Sequence, residues 1–142
     1  MGISVTNFHE LHNTLNYLFG AVAAPTDNTA VNSAIVDVQG YSAIEFVIMT
    51  GPLADADATF AVTMQHGDQS NLGDAANVDA ESLVGTLAAA SFTFADDNAI
   101  KSVGYKPGKG ATKRYVRLTV TPSANASAAP INILVVRKPN MV

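Results

Sequence analysis

The nine residues Lys113–Thr121 constrain this chain more than any other stretch. Tyr115, Arg117, Thr119 and Thr121 alternate with Val116, Leu118 and Val120, the period-two pattern of a strand with one buried face. The same pattern recurs upstream. In Thr59–His66, Phe60, Val62 and Met64 alternate with Ala61, Thr63 and Gln65. Ala34–Val38 reads as a short strand stopped by Gln39-Gly40, and Ala43–Thr50 as a longer one ended by Gly51-Pro52. In the latter, Ile44, Phe46 and Ile48 share one face, and the opposite face carries Val47 and Met49. A strand apolar on both sides is expected to be central or covered twice. Ile131–Val136 is a continuous apolar run with the same implication. Ile100–Tyr105 adds a strand, and Val84–Leu87 and Ser91–Phe94 add weaker ones around an alanine run.

Seven or eight short strands separated by turn residues predict a mainly β fold, an antiparallel β-sandwich or jelly roll. A chain of 142 residues is about one domain long. It is long enough to build a core without the disulfides or Cys-ligated metals that the absence of cysteine excludes. The sandwich is expected over residues 34–142, with residues 1–33 as an N-terminal arm or short helix followed by a loop. Phe8, Leu11, Leu15, Leu18 and Phe19 fall near helical spacing. Asn13, Thr14, Asn16 and Tyr17 are mediocre helix formers, so an extended arm is the alternative. Residues 67–82 form a polar stretch holding three Asp and one Glu, expected as an exposed loop with a helical turn near Ala75–Ala80.

Charge is divided along the chain. All 12 acids lie between Glu10 and Asp97, and all 8 lysines and arginines between Lys101 and Lys138. The cations are interleaved with Tyr115, Val116, Leu118 and Val120, so they belong to strands rather than to a nucleic-acid-binding tail. Two readings follow: the two signs meet within one domain, or they meet across subunits. Lys106, Lys109, Lys113, Arg114 and Arg117 compose a basic patch flanked by Tyr105 and Tyr115, with few further aromatics to stack bases.

No constellation carries catalysis. His9-Glu10-x-His12 places two histidines three apart without a third ligand. Asp55-x-Asp57 lacks the glycine and terminal Glu of a calcium loop. Gly104-Tyr-Lys-Pro-Gly-Lys-Gly110 departs from phosphate-loop spacing and reads as a hairpin loop. A binding protein with no cofactor, no metal and no enzymatic activity is therefore expected. Its 14% charged residues are few for a soluble domain, as a subunit-contacting surface tolerates. No apolar stretch approaches a membrane span, and no Lys or Arg precedes an apolar run as in a secretory signal.

Several ordered pieces carry a resemblance. They are Ile35-Val-Asp-Val-Gln-Gly-Tyr41, Ala43–Gly51 with Leu53-Ala-Asp-Ala-Asp57, and Gln65-His-Gly-Asp68 with Asp74-Ala-Ala76. Leu83-Val-Gly-Thr86 and Val103-Gly-Tyr105 followed by Lys113-Arg-Tyr-Val-Arg-Leu118 complete the set. Together they resemble a family of small tailed-bacteriophage virion structural proteins encoded near the capsid genes. The resemblance implies capsid decoration, or cement: binding the major capsid protein, bridging neighbouring capsid subunits, and residing on the virion surface after synthesis in the host cytoplasm. A homotrimer at capsid threefold positions is the assembly expected. A head–tail connector or tail component is the alternative, and a sugar-binding sandwich module a third. Contact residues are expected in the arm (Phe8, Leu11, Leu15, Leu18) and in the basic patch (Lys106, Lys109, Lys113, Arg114, Arg117).

Overall fold

The computed structural model describes residues 10–108 and 112–140. Two antiparallel sheets pack their apolar faces together. The first sheet has five strands in the order β1 (Asn16–Ala23), β11 (Ile131–Pro139), β4 (Tyr41–Thr50), β9 (Ile100–Tyr105) and β7 (Leu83–Val84). The second is built on β10 (Tyr115–Ser123) and β5 (Thr59–Gly67). Short segments extend it: β2 (Val31–Asn32) and β3 (Val36–Asp37) pair with β10, while β6 (Ala76–Asn77) and β8 (Phe92–Thr93) pair with β5. Among the described residues six strands are six residues or longer and five are two-residue segments, where seven or eight comparable strands were expected.

The alternation read from the sequence sets the core. Ile44, Phe46 and Ile48 of β4, with Val103, Ile133 and Val135 beside them, meet Phe60, Val62 and Met64 of β5 and Val116, Leu118 and Val120 of β10. Phe60 and Phe92 stack at 4.8 Å between ring centroids. β10 and β5 run in register from Tyr115↔Gly67 to Ser123↔Thr59.

The N-terminal segment differs from the expectation. A short helix, α1, spans only Glu10–Thr14, and the chain then extends as β1, registered against β11 from Asn16↔Arg137 to Ala23↔Ile131. Neither a helix to Phe19 nor a detached arm forms from residue 16 onward, because β11 offers β1 a complete ladder of backbone partners. A bulge between Phe19 and Ala21 leaves Gly20 against Ile133, whose carbonyl oxygen would lie 2.5 Å from any added Cβ.

Two further elements shift. The expected strand Val84–Leu87 contracts to β7, and the alanine run becomes α2 (Leu87–Ala90), started by Thr86, whose Oγ1 accepts from Ala89 N at 3.1 Å. In the stretch 67–82 the helical turn forms at Ala80–Ser82 rather than Ala75–Ala80, and Leu72 and Val78 are buried. Among the described residues, no helix is long and apolar enough to cross a membrane.

Candidate protein-contact surface

Each sheet has an outer face, and the two differ in chemistry. On the second sheet, Thr119 lies between Asn32 and Thr63, Arg117 beside Gln65, and Ser123 beside Thr59. Arg117 donates to Gln65 Oε1 at 3.0 Å and Thr119 to Asn32 Oδ1 at 2.7 Å. That face is hydroxyl and amide, with the Arg117 guanidinium among them.

The five-stranded sheet presents the opposite. Because paired residues share a face, its outer side forms three rows. Tyr17, Val136, Glu45, Gly104 and Val84 make one; Phe19, Leu134, Val47 and Ser102 the next; Val22, Asn132, Met49 and Ile100 the third. Phe19 is 71% exposed, and Val22 and Ile100 each 69%. Six of the eight exposed large apolar side chains of the described residues, all but Leu11 and Phe94, stand on this one face. Of the two alternatives expected for β4, central or covered on both sides, the first is observed: β4 is the middle strand of its sheet, with Phe46 and Ile48 buried and Met49 39% exposed.

One carboxylate sits in this apolar setting. Glu45 lies over Gly104, where an added Cβ would come 3.2 Å from Oε2, and between Val136 and Val84. Burial raises its pKa. At this end of the face a shallow hollow of about 310 Å³ is lined by Leu15, Ala43, Val84 and Val136, with Lys106 and Lys138 also bordering it.

The residues expected from the sequence distribute as follows. Phe8 and Lys109 lie outside the described residues. Leu11 is exposed on α1, Leu15 half-buried in the hollow, and Leu18 turned inward against the core, opposite Val135. Strand alternation thus presents Tyr17 and Phe19 outward, where Leu15 and Leu18 were the expected contacts. Lys106, Lys113 and Arg114 are exposed at one end of the sandwich, where Lys113 and Arg114 border an open groove of about 640 Å³ with Tyr41 and Pro107. Arg117 lies apart, on the outer face of the second sheet.

Part of the charge division closes within the chain. Arg114 Nε and Nη2 donate to both carboxylate oxygens of Asp37 at 3.1 and 2.9 Å, and this hydrogen-bonded pairing holds the Asp37 carboxyl below its ordinary value. Lys113 approaches Asp68 at 3.5 Å and Lys101 approaches Asp96 at 3.2 Å. The ends of the sandwich remain unequal. Asp27, Asp55, Asp57, Asp96 and Asp97 belong to the loops at the end where β4 stops and β11 starts, interlinked through Asn125, Ala126, Leu53 and Thr50, with Lys101 as their cation. Lys106, Lys113, Arg114, Arg137 and Lys138 gather at the other end, alongside Asp37, Asp68, Asp74, Asp79 and Glu81.

Among the described residues, no group of three or more His, Cys, Asp or Glu is placed to hold a metal ion. The buried polar cluster is His66, whose Nδ1 lies 2.7 Å from the Tyr105 hydroxyl, with Lys113 N donating to that hydroxyl at 2.6 Å. It ties β5 of one sheet to β9 of the other and to the entry of β10.

No protein-family model matches the chain, and no curated protein matches it in sequence. Solved structures do match in shape. The crystal structure of the PBSX exported protein XepA is 12% identical, with a TM-score of 0.51 over 89% of this chain and 38% of its own. The chain thus spans well under half the length of that protein. The C-terminal domain of EclA, described as a sugar-binding protein, is 11% identical, with a TM-score of 0.40 over 86% of this chain and 76% of its own. A Clostridium thermocellum endo-1,4-beta-D-xylanase 10B structure, complexed with xylohexaose, is 12% identical, with a TM-score of 0.37 over 92% of this chain and 27% of its own. The likeness that carries weight is to XepA, and it is a likeness of fold: a mainly β module with two antiparallel sheets.

Proposed function

We propose that this protein is a virion structural protein of the capsid-decoration type, which stabilises a phage head by burying surface between neighbouring shell subunits. The observation that carries the reading is the contrast between the two outer faces. Six exposed large apolar side chains share one face of the five-stranded sheet, and the other sheet is lined with Thr, Asn, Gln and Ser. Concentrated exposed apolar surface of this kind marks a contact site for protein. The sequence resemblance supplies the class of partner, the major capsid protein. The fold likeness to XepA is consistent with a phage-related role. Lys106, Lys113, Arg114 and Leu11, exposed at one end, are the contacts proposed for the shell. A lattice repeats its sites, so modest affinity per copy suffices when each molecule engages more than one subunit.

The experiment is purification of particles from a culture producing this protein, with copy number counted by quantitative mass spectrometry. Decoration predicts hundreds of copies, in proportion to the major capsid protein. A single ring's worth of copies would assign the connector or tail role instead, and absence from particles would overturn the virion reading.

A further inference from the structure

We infer that the outer face of the five-stranded sheet is covered by the same face of a second copy of this chain, the two sheets stacked antiparallel about a two-fold axis. This rests on reading that face as a protein-contact surface, and adds which protein covers it.

Four observations support a second copy. First, β4 and β11 are apolar on both sides in sequence, the pattern of strands central in a sheet or covered twice, and one chain supplies a single cover. Second, the face approaches the size of a standard interface. Five strands about 4.8 Å apart, with about seven residues at about 3.4 Å rise, present on the order of 600 Å² before side-chain relief. A standard interface takes about 800 Å² per partner.

Third, the ends of the sandwich differ in charge: one is acidic, while the other balances five cations against five carboxylates. A two-fold axis in the interface can run along the strands or across them. Along the strands it sets acidic end on acidic end. Across the strands it sets the end bearing Asp55, Asp57 and Asp97 beside the partner copy's end bearing Lys106 and Lys138. Electrostatics select the second arrangement.

Fourth, that arrangement is favourable at the central row. The Phe19–Leu134–Val47 row packs on its own counterpart, aromatic and aliphatic against the same. The row containing Glu45 falls over the partner's row containing Asn132 and Met49. Because the axis crosses the strands, each strand lies over its own counterpart, so Glu45 faces Met49 of the second copy and Asn132 faces its Val136. Sheets stacked this way recreate, between chains, the packing inside each sandwich, and a closed pair avoids the open filaments of head-to-tail contacts.

Sedimentation equilibrium of the full chain tests this. The wild type is expected to be a dimer at micromolar concentration. Phe19→Lys and Val47→Lys should each raise the dimer dissociation constant about a hundredfold or more, with circular dichroism and melting temperature confirming the fold. Thr63→Lys, on the outer face of the other sheet, should leave it unchanged. A monomeric or trimeric wild type overturns the inference, as does a dimer insensitive to both Phe19→Lys and Val47→Lys. Particle binding separates this failure from the broader one. A monomer that binds particles, and loses them on Phe19→Lys, returns the face to the shell protein and leaves the decoration reading standing.

Discussion

Tyr105 has a single hydroxyl proton and several polar neighbours, among them His66 Nδ1 and the backbone N and O of Lys113. Lys113 N–H donates to the oxygen, so the proton serves either His66 Nδ1 at 2.7 Å or Lys113 O at 3.3 Å. The shorter distance favours His66, which requires a neutral imidazole carrying its proton on Nε2. Burial raises the phenol to about 12, and burial lowers the His66 pKa, with Lys113 adding to the lowering and Asp79, Asp68 and Asp74 opposing it. A folded pKa below the ordinary 6.5 means that His66 contributes stability above that value, lost as pH falls through 6.5 toward the folded pKa. The melting temperature is therefore expected to drop between about pH 7 and pH 5, and the drop should be smaller in His66→Gln; parallel slopes for the two proteins would refute this. Tyr105→Phe leaves Lys113 N–H without its buried acceptor and should cost about 1–3 kcal/mol in urea denaturation. None of this was legible beforehand. His66 and Tyr105 are 39 residues apart and on different sheets, so no local spacing announces the contact.

At the scale of elements, β1 shows where periodicity misleads. Leu11, Leu15 and Leu18 keep helical spacing, yet Leu18 is also the inward member of a strand whose outward members are Tyr17 and Phe19. Short apolar runs satisfy both periods, and the tie is broken by a partner distant in sequence, here β11. The bulge at Gly20 preserves that pairing while shifting the parity, so that Phe19 and Val22 both face outward. An added Cβ at residue 20 meets Ile133 O at 2.5 Å and Ile133 Cγ2 at 2.8 Å. Gly20→Ala is thus expected to destabilise by about 1–3 kcal/mol, as overpacking does, and to speed amide exchange in β1 before β10. Uniform exchange behaviour across both strands would count against it. β4, β5, β9, β10 and β11 were readable within a few residues because each alternates or runs apolar between clear turn residues. The alanine run was not: α2 depends on the Thr86 cap and on Ala90 burying against the sandwich, both tertiary outcomes.

At the scale of the whole molecule, β4 and β11 are apolar on both sides; both lie inside the sheet, and the fold covers one of their two faces. Recognising which face stays open required the register, since only pairing assembles Phe19, Leu134, Val47 and their neighbours into one surface. The same surface fixes how assembly should respond to salt. Arg114–Asp37 and Lys113–Asp68 are exposed pairs within the chain, so the charge left for a partner is smaller than the sequence asymmetry suggests. At about 1 M salt the Debye length falls to about 3 Å, which removes most steering between the sandwich ends but leaves apolar burial intact. The dimer dissociation constant is accordingly expected to change less than about tenfold between about 0.05 and about 1 M sodium chloride, whereas Phe19→Lys changes it about a hundredfold. A titration by sedimentation measures both. If salt alone dissolved the pair, charge between the ends would be its main cement, and the apolar rows would have to be assigned to another surface.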